Sequence, residues 1–234
     1  MAAFETTRWS LILAASGEGD GQDARRALEQ LCRDYRPAVL AWLRGRGIPR
    51  ETAEDLTQGF FARFLANRIY AVADPQRGRF RTLLRTALSN YLVNEAASAQ
   101  TDKRRVNQPA EQASLDGIAE LAGGEQPDRS FERAWALTVL RRALRQLQRE
   151  AAANGKAELM ARLKPFVLEA PDPDDYRRVA EETGMKPNTV AVATLRLRQR
   201  LRELVRAELA QTVATAAEAE AEYADLLDML AGVD

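Results

Sequence analysis

The sequence contains no histidine and a single cysteine, Cys32, in 234 residues. Without histidine there is no imidazole acid–base chemistry, no Ser-His-Asp triad and no histidine-ligated metal. One cysteine excludes an intramolecular disulfide and a thiolate metal site, and Cys32 reads as a small buried thiol on a helix. No apolar run approaches the roughly 20 residues that span a bilayer, so no membrane partner is expected. The opening "MAAFETTRWSLILAAS" places Glu5 ahead of Arg8 and shows no charged leader or cleavage site, so it reads as a structural helix and not a signal peptide. No G-x-x-x-x-G-K-[ST] loop and no Rossmann glycine fingerprint is present. These absences point to a cytoplasmic protein that is not an enzyme and needs no cofactor.

What is there is charge, segregated along the chain. The formal net charge is +0, with hydrophobic residues at 46%, enough to build real cores. Between Arg77 and Arg105 the bases Arg77, Arg79, Arg81, Arg85, Lys103, Arg104 and Arg105 face only Glu95 and Asp102. A second basic block carries Lys186, Arg196, Arg198, Arg200, Arg202 and Arg206 against Glu203. The middle, "EQASLDGIAELAGGEQPD", and the tail beyond Glu208 are acidic. Two basic blocks set apart by acidic segments suggest two surfaces offered to a polyanion, although solvated helix faces would give the same composition.

The apolar spacing is helical almost throughout. Leu28, Leu31, Tyr35, Val39 and Trp42 mark a helix over Ala24–Arg44, and "GRGIP" ends it with Pro49 set for the next first turn. A second helix runs to about Asn67, "IYAVADPQRGR" is a loop, and a long helix starts near Phe80 and reaches the late nineties. Further helices are expected over Phe131–Arg149, Lys156–Val167, Asp175–Thr183 and Pro187–Leu209. The fold class is therefore all-α: two small helical domains, 24–106 and 131–211, joined by a flexible linker over 107–130. An N-terminal helical extension (1–23) and an acidic C-terminal extension (212–234) flank them.

The sharpest local signal is "YRRVAEETGMKPNTVAVATLRLRQRLREL". Ala180, Gly184 and Val190 supply a small residue at a helix crossing, a glycine for a left-handed turn and an apolar residue closing the contact, which is a helix-turn-helix pattern. An ordinary antiparallel helix pair is the plainer alternative. In a helix-turn-helix the residues facing a major groove would be Lys186, Asn188, Thr189, Ala191, Val192, Leu195, Arg196 and Gln199. Arg198, Arg200 and Arg202 would then anchor phosphates.

Three stretches in order resemble the extracytoplasmic-function (ECF) sigma factors, the minimal two-domain specificity subunits of bacterial RNA polymerase. "ETAEDLTQGFF" is similar to the family's "DAEDLVQEVF". "DPQRGRFRTLL" followed by "ALSNYLVNE" resembles its promoter-melting segment, D-P-x-x-G-x-F-R and then N-L-x-x-D. "TVAVATLRLRQRLREL" resembles its C-terminal promoter-reading domain.

The resemblance implies two partners, core RNA polymerase and promoter DNA, and it admits an anti-sigma factor or other regulator. It assigns Glu54, Asp55 and Gln58 to docking on the clamp coiled coil of the largest polymerase subunit, on the far side of a helix whose buried stripe is Ala53, Leu56, Phe60 and Phe64. It assigns Arg77, Arg79, Arg81, Asn90 and Asn94 to the single strand at an opening promoter, with Phe80 anchoring the core. Gly59 stands where the family has glutamate, and Asn94 where it has an acid. Two other readings stay open: a polymerase-independent helix-turn-helix regulator, and an adaptor that docks polymerase without initiating. The tail carries an apolar face of Tyr223, Leu226, Leu227 and Leu230. It is expected either to fold back over a basic surface, with the arginines after Val190 as first candidate, or to be a frayed terminus.

Overall fold

The computed structural model describes residues 22–72, 79–105, 125–213 and 215–231. The expected N-terminal helix, Arg77 and most of the expected linker lie outside the described residues. The fold is all-α. The described helices are α1 (Gln22–Gly45), α2 (Arg50–Ala66), a 3-10 turn (Ile69–Val72), α3 (Phe80–Arg105), α4 (Glu125–Ala153), α5 (Ala157–Leu168), α6 (Pro173–Thr183), α7 (Pro187–Ala210) and α8 (Ala216–Ala231). Among the described residues no strand occurs, and no helix is long and apolar enough to cross a membrane.

Two compact units emerge, residues 1–138 with 210–234, and residues 139–209. This division differs from the expected one at both ends of the second domain. The helix expected to open that domain at Phe131 begins at Glu125, and its residues through Thr138 belong to the first unit. Phe131 and Trp135 explain why: both are buried, in a unit whose core also draws on α1, α2, α3 and α8. The tail belongs to the first unit as well, because α8 buries Ala219, Glu222 and Leu226.

Aromatic residues organise the first unit. Phe60 and Phe64 of α2 are fully buried, as are Leu84 and Leu88 of α3 and Trp42 of α1. Phe80 lies 5.4 Å from Tyr35 and 6.3 Å from Phe64 between ring centroids, so the first residue of α3 is pinned between α1 and α2. Phe80 thus serves as the core anchor the sequence suggests. The buried stripe of α2 is Ala53, Thr57, Phe60, Phe61 and Phe64. Leu56, expected in it, is only half-buried, and Thr57 takes the inner position by donating its hydroxyl to the Ala53 carbonyl at 2.6 Å.

In the second unit, Leu163 and Phe166 of α5, Val179 and Ala180 of α6 and Val190 of α7 form one apolar cluster. The start and stop of α6 follow from its sequence. Asp172 and Asp175 form a reciprocal capping box ahead of Pro173 in the first turn, and Gly184 ends the helix at φ 68°. The left-handed glycine lets the Met185 amide reach the Ala180 carbonyl at 3.0 Å, and α7 begins at Pro187.

Candidate functional site

On α2, Asp55 and Gln58 are exposed and Glu54 is half-buried, all three on the side away from Phe60 and Phe64. Glu54 accepts from Arg50 Nε at 3.0 Å one turn back, so its charge is partly matched within the helix. Asp55 and Gln58 are three residues apart, hence neighbours on the surface. Gly59 has a steric reason. A Cβ at this position would run into the Tyr91 hydroxyl from α3, with the Tyr91 Cζ next at 3.5 Å. Tyr91 is itself held edge-on against Phe60, with centroids 5.8 Å apart. Gly59→Ala should therefore fail to gain the ~1 kcal/mol that alanine normally brings to a helix interior. In a Tyr91→Phe background that gain should return, as a raised urea midpoint. Strictly additive effects of the two substitutions would mean that the hydroxyl is not what keeps position 59 bare.

The residues assigned to strand capture divide between two faces of α3. Asn90 and Asn94 are exposed and line a hollow of 350 Å³ together with Arg63 and Asn67 from the end of α2 and the rings of Phe60 and Tyr91. The hollow offers amides and a guanidinium above a floor of buried rings. Arg81 lies nine residues before Asn90, about two and a half helical turns, and so points to the opposite side. Arg63, Asn67 and Tyr91 were not legible as partners of Asn90 from sequence, because nothing in their spacing brings α2 beside α3.

Arg79 and Arg81 are not free for phosphate in this structure. The Arg81 side chain is buried. Its Nε meets Glu132 at 3.0 Å, its Nη1 donates to Glu222, and its guanidinium carbon stands 4.3 Å from the Trp135 ring centroid. Arg79, half-buried, pairs with Glu222 at 2.5 Å and Asp225 at 2.8 Å. Arg85 joins through Glu132 at 3.3 Å and Asp128 at 3.4 Å. Burial pushes the Glu222 and Glu132 carboxyls above the ordinary range, more strongly than the neighbouring guanidiniums pull them down. The tail thus does fold back, but α8 covers Arg79 and Arg81 within its own unit, in place of the expected arginines after Val190. Its buried residues also differ from the expected stripe: Leu226 is buried, whereas Leu227 is 47% exposed.

On α7, the first two turns present Asn188, Thr189, Val192, Leu195 and Arg196 to solvent, with Lys186 exposed just before them and Ala191 half-buried. Val190 and Thr194 occupy the inner face, the latter donating its hydroxyl to the Val190 carbonyl at 3.0 Å. Val192 and Leu195, neighbours one turn apart on this surface, are 40% and 62% exposed. Gln199 and Arg202 are exposed farther along.

Arg198 and Arg200, expected as phosphate anchors, are engaged internally. Arg198 donates through Nε to the Phe166 carbonyl at 2.9 Å and through Nη2 to the Glu169 carbonyl, satisfying the end of α5. Arg200 makes a two-pronged pair with Glu150, at 2.8 and 2.9 Å, and a third bond to Glu203 at 2.8 Å. The Arg200 hydrogen bond holds the Glu150 carboxyl below its usual range. Of the basic residues on this part of α7 and just before it, Lys186, Arg196 and Arg202 are the exposed ones outside such pairs.

Among the described residues, no group of three or more Cys, Asp or Glu side chains is placed to hold a metal ion. No protein-family model, no curated protein and no solved structure matches the chain.

Proposed function

We propose that the chain is a promoter-specific transcription initiation factor of the ECF sigma type, working with core RNA polymerase on promoter DNA. The observation that carries this reading is the outward face of α7. Its opening turns expose Asn188, Val192, Leu195 and Arg196 while Val190 and Thr194 hold the inner face. Such a mix suits a major groove, where aliphatic side chains touch thymine methyls, an asparagine reads adenine and an arginine reads guanine. Nothing is hydrolysed. Binding energy for bases leaving the stack offsets the cost of unstacking them, and the hollow beside the exposed amides of Asn90 and Asn94 suits one displaced base.

Asp55 and Gln58 are the surface for an arginine-bearing partner helix, where a carboxylate can fix register as well as add affinity. Both are exposed, so alanine at both positions should leave folding unchanged while weakening capture of core polymerase about tenfold or more, in the range of truncating polar contacts at an interface. The deciding experiment is transcription by purified core polymerase on a library of promoter-containing fragments. Initiation that depends on this chain and falls with the Asp55→Ala/Gln58→Ala variant supports the reading. Tight operator binding by the chain alone, with no initiation, would replace it by a polymerase-independent regulator.

A further inference from the structure

We infer that α8 is a built-in competitor for an anion-binding site formed by Arg79 and Arg81, its carboxylates standing where the phosphates of a single DNA strand would bind. The inference concerns the regulation of the DNA-binding reading above and rests on it.

The contact is specific. Glu222 is 1% exposed, which is rare for a carboxylate, and it bridges both guanidiniums, while Asp225 one turn along adds a second carboxylate to Arg79. Leu226 and Ala219 seat the same helix through apolar contact. Asp128 and Glu132 of α4 belong to the network whatever α8 does, since they pair with Arg85 and Arg81. With α8 in place, three guanidiniums face four carboxylates; with α8 gone, they face two, and Arg79 loses both of the acids described for it. Removal of this helix therefore reverses the sign of the patch. It also opens a site at the very start of α3, where Arg79 stands on backbone held by the buried Phe80 and is thus already oriented.

Geometry supports exchange over permanent closure. The α8 carboxylates reach Arg79 from a helix whose other face is exposed at Glu218, Glu220 and Leu227, and only seven residues of α8 or fewer separate its anchors Ala219, Glu222 and Leu226. A strand carrying several phosphates can match two carboxylates in charge and, unlike them, continue along the surface. As α8 is tethered, it competes through high local concentration and not through a large interface. Binding of strand and seating of α8 then oppose each other, and by linkage each weakens the other equally.

Two measurements on the full chain test this. In the unmodified protein, a saturating fluorescent 12-nucleotide single-stranded DNA should speed amide hydrogen exchange across α8 while leaving that of α5, which carries no residue placed toward DNA, unchanged. In the Asp225→Asn/Glu222→Gln variant, which keeps side-chain shape, the same DNA should bind about tenfold more tightly at low salt. Its dependence on salt should steepen by roughly 0.7 per phosphate newly contacted. Unchanged or slower exchange of α8 at saturating DNA overturns the inference even if the variant folds poorly, because that measurement needs no substitution. Equal DNA affinity of a folded variant and the unmodified chain overturns it too. Failure of polymerase-dependent transcription while DNA still displaces α8 would instead retire the initiation-factor reading and leave the competitor in place.

Discussion

Arg81→Met should unfold the first unit far more readily than any surface change, with a loss of about 3–5 kcal/mol, the usual cost of removing one partner from a buried ion pair. Arg81 stands between half-buried Glu132 and buried Glu222, so a thioether in its place leaves two carboxylates without their principal counter-charge. Met retains most of the apolar stem and contact with Trp135, so the loss is chiefly electrostatic. Trp42 and Trp135 both belong to this unit, so tryptophan emission during urea unfolding reports on it directly. Adding Glu132→Leu and Glu222→Leu should recover much of the loss, since an apolar set of similar volume can replace a buried ion cluster. If the single substitution moves the urea midpoint by no more than a surface change does, Arg81 does not hold the network together.

The same network fixes the direction of the pH dependence. Burial raises the Glu132 and Glu222 carboxyls, with Arg81 the foremost charge opposing it. A carboxyl raised in the folded state binds its proton more readily there than in the unfolded chain. Its stabilising contribution is full below the unfolded pKa and is lost as pH rises through the folded one. Removing Arg81 raises both carboxyls further. The deficit of Arg81→Met should therefore be largest at neutral pH and shrink as pH falls into the raised carboxyl range. A deficit that stays constant between neutral pH and about pH 5 would place the cause in packing.

Helix positions were legible in the sequence because apolar spacing and breakers act locally. Gly184 and Pro187 determine the turn between α6 and α7, and the Ala180–Val190 contact was readable from their separation. The partners of the charged residues were not legible. Arg81 and Glu222 are 141 positions apart, and nothing local in either segment distinguishes a buried arginine from one awaiting phosphate. The basic block of α7 illustrates the same limit. Composition makes Arg196, Arg198 and Arg200 equivalent, yet position around the helix sends Arg198 to the end of α5, and one further turn along the shared face separates Arg200, which reaches Glu150, from Arg196, which is left to solvent. Gly59 was visible as a departure from the motif that its segment resembles, but its cause lies on another helix, in the Tyr91 hydroxyl.

That sorting of arginines leads to the sharpest functional expectation. Leu195→Glu should leave the second unit folded, because Leu195 is 62% exposed and surface substitutions usually change stability by about 0.5 kcal/mol or less. Promoter-dependent binding should nonetheless fall about ten- to a hundredfold. A lost base contact costs about 1–3 kcal/mol, and a carboxylate facing phosphates adds repulsion. Arg198→Ala should behave in the opposite way. It removes two hydrogen bonds to the last carbonyls of α5, so thermal stability should drop by about 1–3 kcal/mol while the salt dependence of DNA binding by the folded protein is kept. Arg196→Ala, by contrast, should change base preference at one position with stability unchanged. Measuring melting temperature and promoter affinity for all three separates the roles. Should Leu195→Glu bind promoter DNA as well as the unmodified chain, the exposed face of α7 does not enter the groove, and the nucleic-acid surface has to be sought on another helix.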